Sequence, residues 1–176
     1  VQTPSRCQML IDGGPDPRRT LTALARVMPW WDRELDLVVL TSPDENRISG
    51  LIPVLERYEV TTVATGPEAG AGTRFEAWQS LVGSRPIDGR QQISAGDVIT
   101  LDQGVSLRAL WPPQGVIGPL VLQLAHGDVK MPLMGDATST VEAALVDRYG
   151  EELRSQVSNS HAKEIRPPRP LRSYKR

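Results

Sequence analysis

A nearly unbroken apolar segment, Leu35-Asp-Leu-Val-Val-Leu40, runs straight into a polar stretch, Thr41-Ser-Pro-Asp-Glu-Asn-Arg-Ile-Ser-Gly50. Leu51, Val54, Leu55 and Tyr58 then recur at helical spacing. This order constrains the chain more than any other. A run so rich in Leu and Val predicts a strand covered on both faces. Such strands belong to sheets flanked by helices. The polar loop at the strand's carboxyl end is where those folds place their chemistry.

The flanking sequence extends the pattern in both directions. Cys7–Asp12 reads as a strand closed by Gly13-Gly14. Asp16 offers an N-cap and Pro17 suits the first helical position. Leu21, Leu24, Ala25 and Met28 then predict a helix over Pro17–Met28, broken by Pro29-Trp30-Trp31. Pro53 is tolerated in the helix after the polar loop because it falls in the first turn. Val60–Ala64 predicts a strand, and Phe75, Trp78 and Val82 a helix over Thr73–Val82. From Ser84 the signal changes to hairpins: Val98–Leu101 with Val105–Trp111, then Leu120–Ala125 with Val129–Met134. A last helix is expected over Ser139–Tyr149. Alternating strands and helices followed by hairpins predict two mixed sheets covered outside by helices.

Size and charge bound the rest. The 176 residues suit one domain, expected over 1–157. Residues 158–176, with three prolines and many Arg and Lys, read as a disordered basic tail. His161–Arg176 carries six Lys/Arg and one Glu, so the first 160 residues hold −6 of the net −1. That tail could touch phosphate. One cysteine, Cys7, excludes an internal disulfide and reads as a small strand residue. The longest apolar run is five residues, Leu51–Leu55, too short to span a membrane.

The polar loop also resembles a known motif. LVVLTSPDENRISGL is similar to the metal-binding signature of the metallo-β-lactamase superfamily, a strand followed by [TS]-H-x-[HD]-x-D-H-[IL]-x-G. The framework agrees at Leu37–Thr41, Pro43, Asp44, Ile48 and Gly50. Ser42 stands at the first His, Asn46 at the Asp and Arg47 at the last His, so only Asp44 keeps a metal-competent side chain. Met9–Gly14, MLIDGG, resembles the family's opening strand, whose acidic residue (Asp12 here) supports the site from behind. Met131–Ala137, MPLMGDA, resembles the later strand whose Asp, here Asp136, bridges two metals. Within the superfamily, TPSRCQMLIDGGPDP, PWWDRELDLVVLTSPDENRISGLIPVLERY, ISAGDVITLDQGVSLRALWPP and LVLQLAHGDVKMPLMGDATSTVEAAL resemble the C-terminal domain of the ComEC-type bacterial competence family. They cover most of Thr3–Leu145.

The resemblance implies an αββα four-layer sandwich, truncated at both ends relative to the family. The family's preceding G-Q-G-D segment is missing. Gly118-Pro119 replaces the Asn-rich start of a later strand. The downstream H-H-G motif has no counterpart beyond His161. It further implies a domain on the extracytoplasmic face of the cell membrane, attached to the channel portion of a DNA-uptake protein. In intact relatives it implies a metal-dependent nuclease acting on the strand that is not imported.

The residues themselves argue for a damaged site. A two-metal hydrolase needs about five or six converging His and Asp ligands, and this chain has two histidines. His126 reads as a solvated turn residue and His161 as part of the tail. Oxygen donors Asp44, Asp136, Asn46 and Ser42 could hold one Mg²⁺, Mn²⁺ or Zn²⁺, the alternative reading. Arg47 opposes that, since a guanidinium repels a cation and has no lone pair to offer. It is expected instead to stand in for metal as the positive partner of Asp136, Asp44 or both. Ser42 has no neighbouring base, so a serine nucleophile is not expected. Trp30 and Trp31 could stack on bases, or belong to the core or its rim. The expectation is a metal-free, non-hydrolytic domain that supports channel assembly or contacts DNA.

Overall fold

The structure, a computed structural model, describes residues 1–67, 69–154 and 164–165. Four strands form the first sheet in the order β1-β2-β3-β4: Met9–Ile11, Glu34–Leu40, Glu59–Thr65 and Gly89–Gln92. All three pairings are parallel. The sequence pattern predicts two mixed sheets. This one is parallel throughout because each neighbouring pair is joined through a helix: α1 (Pro17–Val27), α3 (Leu51–Arg57) and α4 (Thr73–Ser84). A further four-residue helix, α2 (Glu45–Ile48), lies inside the polar loop.

The second sheet has the order β8-β7-β6-β5-β9. Here β5 is Val98–Asp102, β6 Val105–Trp111, β7 Val121–His126, β8 Val129–Leu133 and β9 Glu164–Ile165. Hairpin neighbours are antiparallel, and β9 adds to β5 in parallel. The last helix, α5, runs Ser139–Arg154, five residues beyond its expected end. Of the expected tail, Glu164–Ile165 form β9, and the remaining residues of 158–176 lie outside the described residues.

Three apolar clusters show the layering. Met9, Leu37, Val39 and Ala64 of the first sheet meet Ile99, Leu107, Ala109 and Leu122 of the second. On the outer face of the first sheet, Val38, Leu40 and Val63 pack against Leu24 of α1, Leu51, Val54 and Leu55 of α3, and Trp78 of α4. On the outer face of the second, Leu110 and Val121 pack against Val141, Leu145 and Tyr149 of α5. The layers are therefore helix, sheet, sheet, helix. Alternation along β2 explains its apolar run: Leu37 and Val39 face one layer, Val38 and Leu40 the other. Each such side chain, fully buried, stabilises the fold by about 1.5–3 kcal/mol.

Local chemistry sets the ends of α1. The Asp16 carboxylate accepts from the backbone N–H of Arg18 at 2.9 Å and Arg19 at 3.3 Å. Met28 N–H closes the other end on Leu24 O at 2.8 Å. No helix among the described residues is long and apolar enough to cross a membrane.

Candidate functional site

Three chain segments converge at the carboxyl ends of the parallel strands. Asp12 follows β1, Thr41 follows β2, and Asp136 follows β8 of the other sheet. Thr41 stitches the sheets together, because its carbonyl accepts from Leu120 N–H at 2.7 Å. Gly135 turns beside it with a positive φ of 56°, and a Cβ there would lie 3.6 Å from Thr41 Oγ1. That turn brings Asp136 over the site.

Arg47 joins the carboxylates. Its Nε donates to Asp136 Oδ2 at 3.1 Å and its Nη2 donates to Asp136 Oδ1, a two-pronged pair. Nη1 donates to Asp12 Oδ2 at 3.1 Å. Asp12 also accepts from Thr41, from the backbone N–H at 2.8 Å and the hydroxyl at 2.6 Å. The planar guanidinium fork suits this geometry and an ammonium would not.

The position of Arg47 is built by backbone contact. Its carbonyl accepts from Gly13 N–H at 2.8 Å, and Gly50 N–H donates to Gly14 O at 3.0 Å. Gly13 and Gly50 press against each other. A Cβ on Gly50 would collide with Gly13 O and Thr20 Oγ1, and one on Gly13 with Leu51 N. Asp12 itself adopts a positive φ of 54°, a conformation that Asp tolerates better than most residues.

Electrostatics divides the carboxylates. The Asp12 side chain is 10% exposed and that of Asp136 is 42%. Burial pushes the Asp12 carboxyl above its ordinary value, with Asp136 adding to the rise. The bonds from Thr41 and the charge of Arg47 act the other way. The hydrogen bond to Asp136 holds the Arg47 proton still more firmly, against partial burial.

The expected site residues do not all meet. Asp44 does not pair with Arg47. It is exposed at the N-cap of α2 and makes no side-chain capping bond. Asn46 is exposed on the same short helix. Ser42 is buried beneath the loop, lining a cavity of about 370 Å³ with Thr41, Pro43, Phe75 and Trp78. His126 is exposed at the end of β7, and His161 lies outside the described residues. Asp12, expected behind the site, is instead a direct partner of Arg47. Its place immediately after a strand, level with Thr41, was the available signal.

The donor set does not fit a metal centre of the kind the superfamily motif describes. Two carboxylates share the site with a cation, and among the described residues no imidazole or thiolate joins them. Among the described residues no three His, Cys, Asp or Glu side chains gather as ligands. A divalent ion between Asp12 and Asp136 would have to displace the guanidinium that already occupies their lone pairs.

No family model matches the chain, and no curated protein matches it. Solved structures do. The chain is similar to Rm3 metallo-beta-lactamase at 18% identity and a TM-score of 0.51, covering 87% of this chain and 65% of that one. It is similar to MIM-2 metallo-beta-lactamase at 15% identity and a TM-score of 0.52, covering 95% and 67%. The chain thus spans about two thirds of the length of either neighbour. At these identities the likeness concerns architecture, and the four-layer sandwich with Asp12, Arg47 and Asp136 at its strand ends has a metallo-β-lactamase-like fold.

Proposed function

We propose that this chain is a metal-free, non-hydrolytic domain of a ComEC-type DNA-uptake protein. On this reading it supports assembly of the channel portion of the parent protein, or contacts DNA, on the extracytoplasmic face of the membrane. The observation that carries the metal-free part is the Arg47 bridge, a fixed cation on both Asp12 and Asp136. The competence part rests on the four sequence segments that resemble that family. Ser42 is buried in a cavity whose described lining holds no His, which supports the reading that it is not a nucleophile.

The rival reading is a phosphodiesterase that uses one oxygen-ligated Mn²⁺, Mg²⁺ or Zn²⁺ on Asp44 and Asp136. It requires Arg47 to leave Asp136. Elemental analysis of the purified protein separates the two. The proposal expects no stoichiometric metal, and about one ion per chain would sink it. Cleavage of single- or double-stranded DNA with added Mn²⁺ or Mg²⁺, abolished by Asp136→Ala, would establish the rival. Arg47→His restores one imidazole and no other ligand, so it should not create a tight Zn²⁺ site.

A further inference from the structure

Trp30 and Trp31 form a protruding aromatic tip. Asp32 N–H donates to Pro29 O at 3.0 Å, closing a four-residue turn with the two tryptophans at its central positions. The turn is held from below. Asp32 Oδ2 accepts from Gln8 Nε2 at 2.6 Å, and Oδ1 from Glu34 N–H at 3.3 Å. Trp30 is 82% exposed and Trp31 66%, and Val27, at the end of α1, is 68% exposed. The rings stand edge to face, their centroids 5.5 Å apart and their planes at 87°. Neither ring serves the core, which already has Trp78.

Three features select the occupant. Two tryptophans of about 150–250 Å² each expose at most roughly 400 Å² in this turn. A stable protein partner needs about 800 Å² per side. The rings stand perpendicular and so do not present the parallel faces on which successive bases stack. The exposed charges in the adjoining sequence are also mixed: Arg26 and Arg33 are accompanied by Glu34, and Glu59 pairs in register with Glu34. A nucleic-acid surface would be uniformly basic. What remains suits indole best: a boundary that is apolar on one side and wet on the other, where the ring is buried and the N–H finds an acceptor.

We infer that the Trp30-Trp31 turn is a lipid-interface tip that inserts into the headgroup–acyl boundary of a bilayer. A tip this small gives weak, reversible binding, carried by apolar insertion rather than by attraction to anionic lipid. The inference is independent of the proposed function.

The full chain, titrated with phosphatidylcholine vesicles carrying brominated acyl chains, tests this. Tryptophan emission should shift to the blue and be quenched through Trp30 and Trp31, since Trp78 is buried and Trp111 packs partly buried against the α5 cluster. Phosphatidylglycerol in the vesicles should change the response little. Trp30→Ala/Trp31→Ala should lower vesicle binding about tenfold or more. Trp30→Phe/Trp31→Phe should keep part of it. No blue shift on either vesicle, or binding indifferent to the double alanine change, overturns the inference. So does a response that requires phosphatidylglycerol and disappears with salt. Quenching by oligothymidine, or self-association lost in the double alanine variant, would assign the tip to nucleic acid or to a second copy instead.

Discussion

At the carboxyl ends of β1 and β2, Asp12, Thr41, Arg47 and Asp136 satisfy one another, and Gly13 lies backbone to backbone with Gly50. The amino ends of β2 and β3 are finished differently. There Glu34, Asp36 and Glu59 line a cavity of about 450 Å³ that also reaches Cys7, Thr62 and Gln91. Thr62 Oγ1 and Gln91 Oε1 are buried without a hydrogen-bond partner among the described residues. Burial and the neighbouring Asp36 push the Cys7 thiol up to about 12, which keeps it protonated and unreactive. The larger cavity therefore sits away from the end where the fold puts its chemistry. The difference teaches that polar residues at a strand-end cleft are not by themselves a catalytic centre. Here they form a cross-link between sheets in which one guanidinium bridges two carboxylates, and the larger of the two cavities lies at the other end.

The strongest test of that contrast is Gly50→Ala. The added methyl would strike the Gly13 carbonyl and the Thr20 hydroxyl. Backbone cannot step aside as a flexible side chain would, so we expect a loss of about 3 kcal/mol in urea unfolding. A loss below about 1 kcal/mol would mean that the loops are looser than the contact implies.

Arg47→Met comes next. Arg47 is 27% exposed, between a buried pair and a surface one. Removing it leaves Asp12 buried with only Thr41 as partner, so a loss of about 2 kcal/mol is expected. Arg47→Lys should restore less than half, because an ammonium cannot fork across Asp136 and still reach Asp12. Equal stability of Arg47→Lys and the parent would refute the bridging role.

The other end should respond with the opposite sign. Thr62 is 2% exposed and its hydroxyl is unpartnered. Thr62→Val keeps the shape and removes a polar atom buried at a cost, so stability should rise by about 1 kcal/mol. A loss of stability would reveal a bound water or another partner for Thr62.

A pH titration sharpens the contrast further. The raised Asp12 carboxyl means that the folded state holds its proton more tightly than the unfolded chain does. The stability this contributes is fully present below the unfolded value, about 3.9. It is lost as pH rises through the higher folded value. Arg47→Met should move the folded value higher still and widen the window. Asp102 has the opposite sign: hydrogen bonds from Ser5 and Gln103 hold it down to about 2, so its contribution is lost as pH falls towards that value. Carboxyl-carbon NMR titration resolves the two residues. An Asp12 value below the ordinary range would show that Arg47, not burial, dominates its environment.

Most of the layering was legible in the sequence because the period of the apolar residues carries it. The β2 run, the helix of Leu51, Val54 and Leu55, and the hairpins all lie where their patterns place them. β4 was not legible. Gly89-Arg-Gln-Gln92 has no apolar alternation and becomes a strand by pairing with the open edge of β3. The site was half legible. A bidentate Arg47 on Asp136 follows from charge, whereas the choice of Asp12 over Asp44 depends on where a four-residue helix points its N-cap. The Gly13–Gly50 contact joins segments that no local pattern connects.

The smallest expected effect concerns Asp44, the one residue that retains the metal motif's acidic chemistry. Asp16 and Asp44 are both N-cap aspartates, and they differ in what their side chains do. Asp16 accepts from two backbone N–H groups at the start of α1. Asp44 accepts from none, heads a helix of four residues and is exposed. Asp16→Ala should therefore cost about 1 kcal/mol, and Asp44→Ala no more than about 0.5 kcal/mol. Added Mn²⁺ or Zn²⁺ should not separate Asp44→Ala from the parent in thermal unfolding, because a lone exposed carboxylate holds a divalent ion only weakly. Were Asp44 a ligand, metal would raise the parent's Tm and not the variant's. That single difference would reopen the strand-end cleft as a metal site and erase the contrast between the two ends of the sheet.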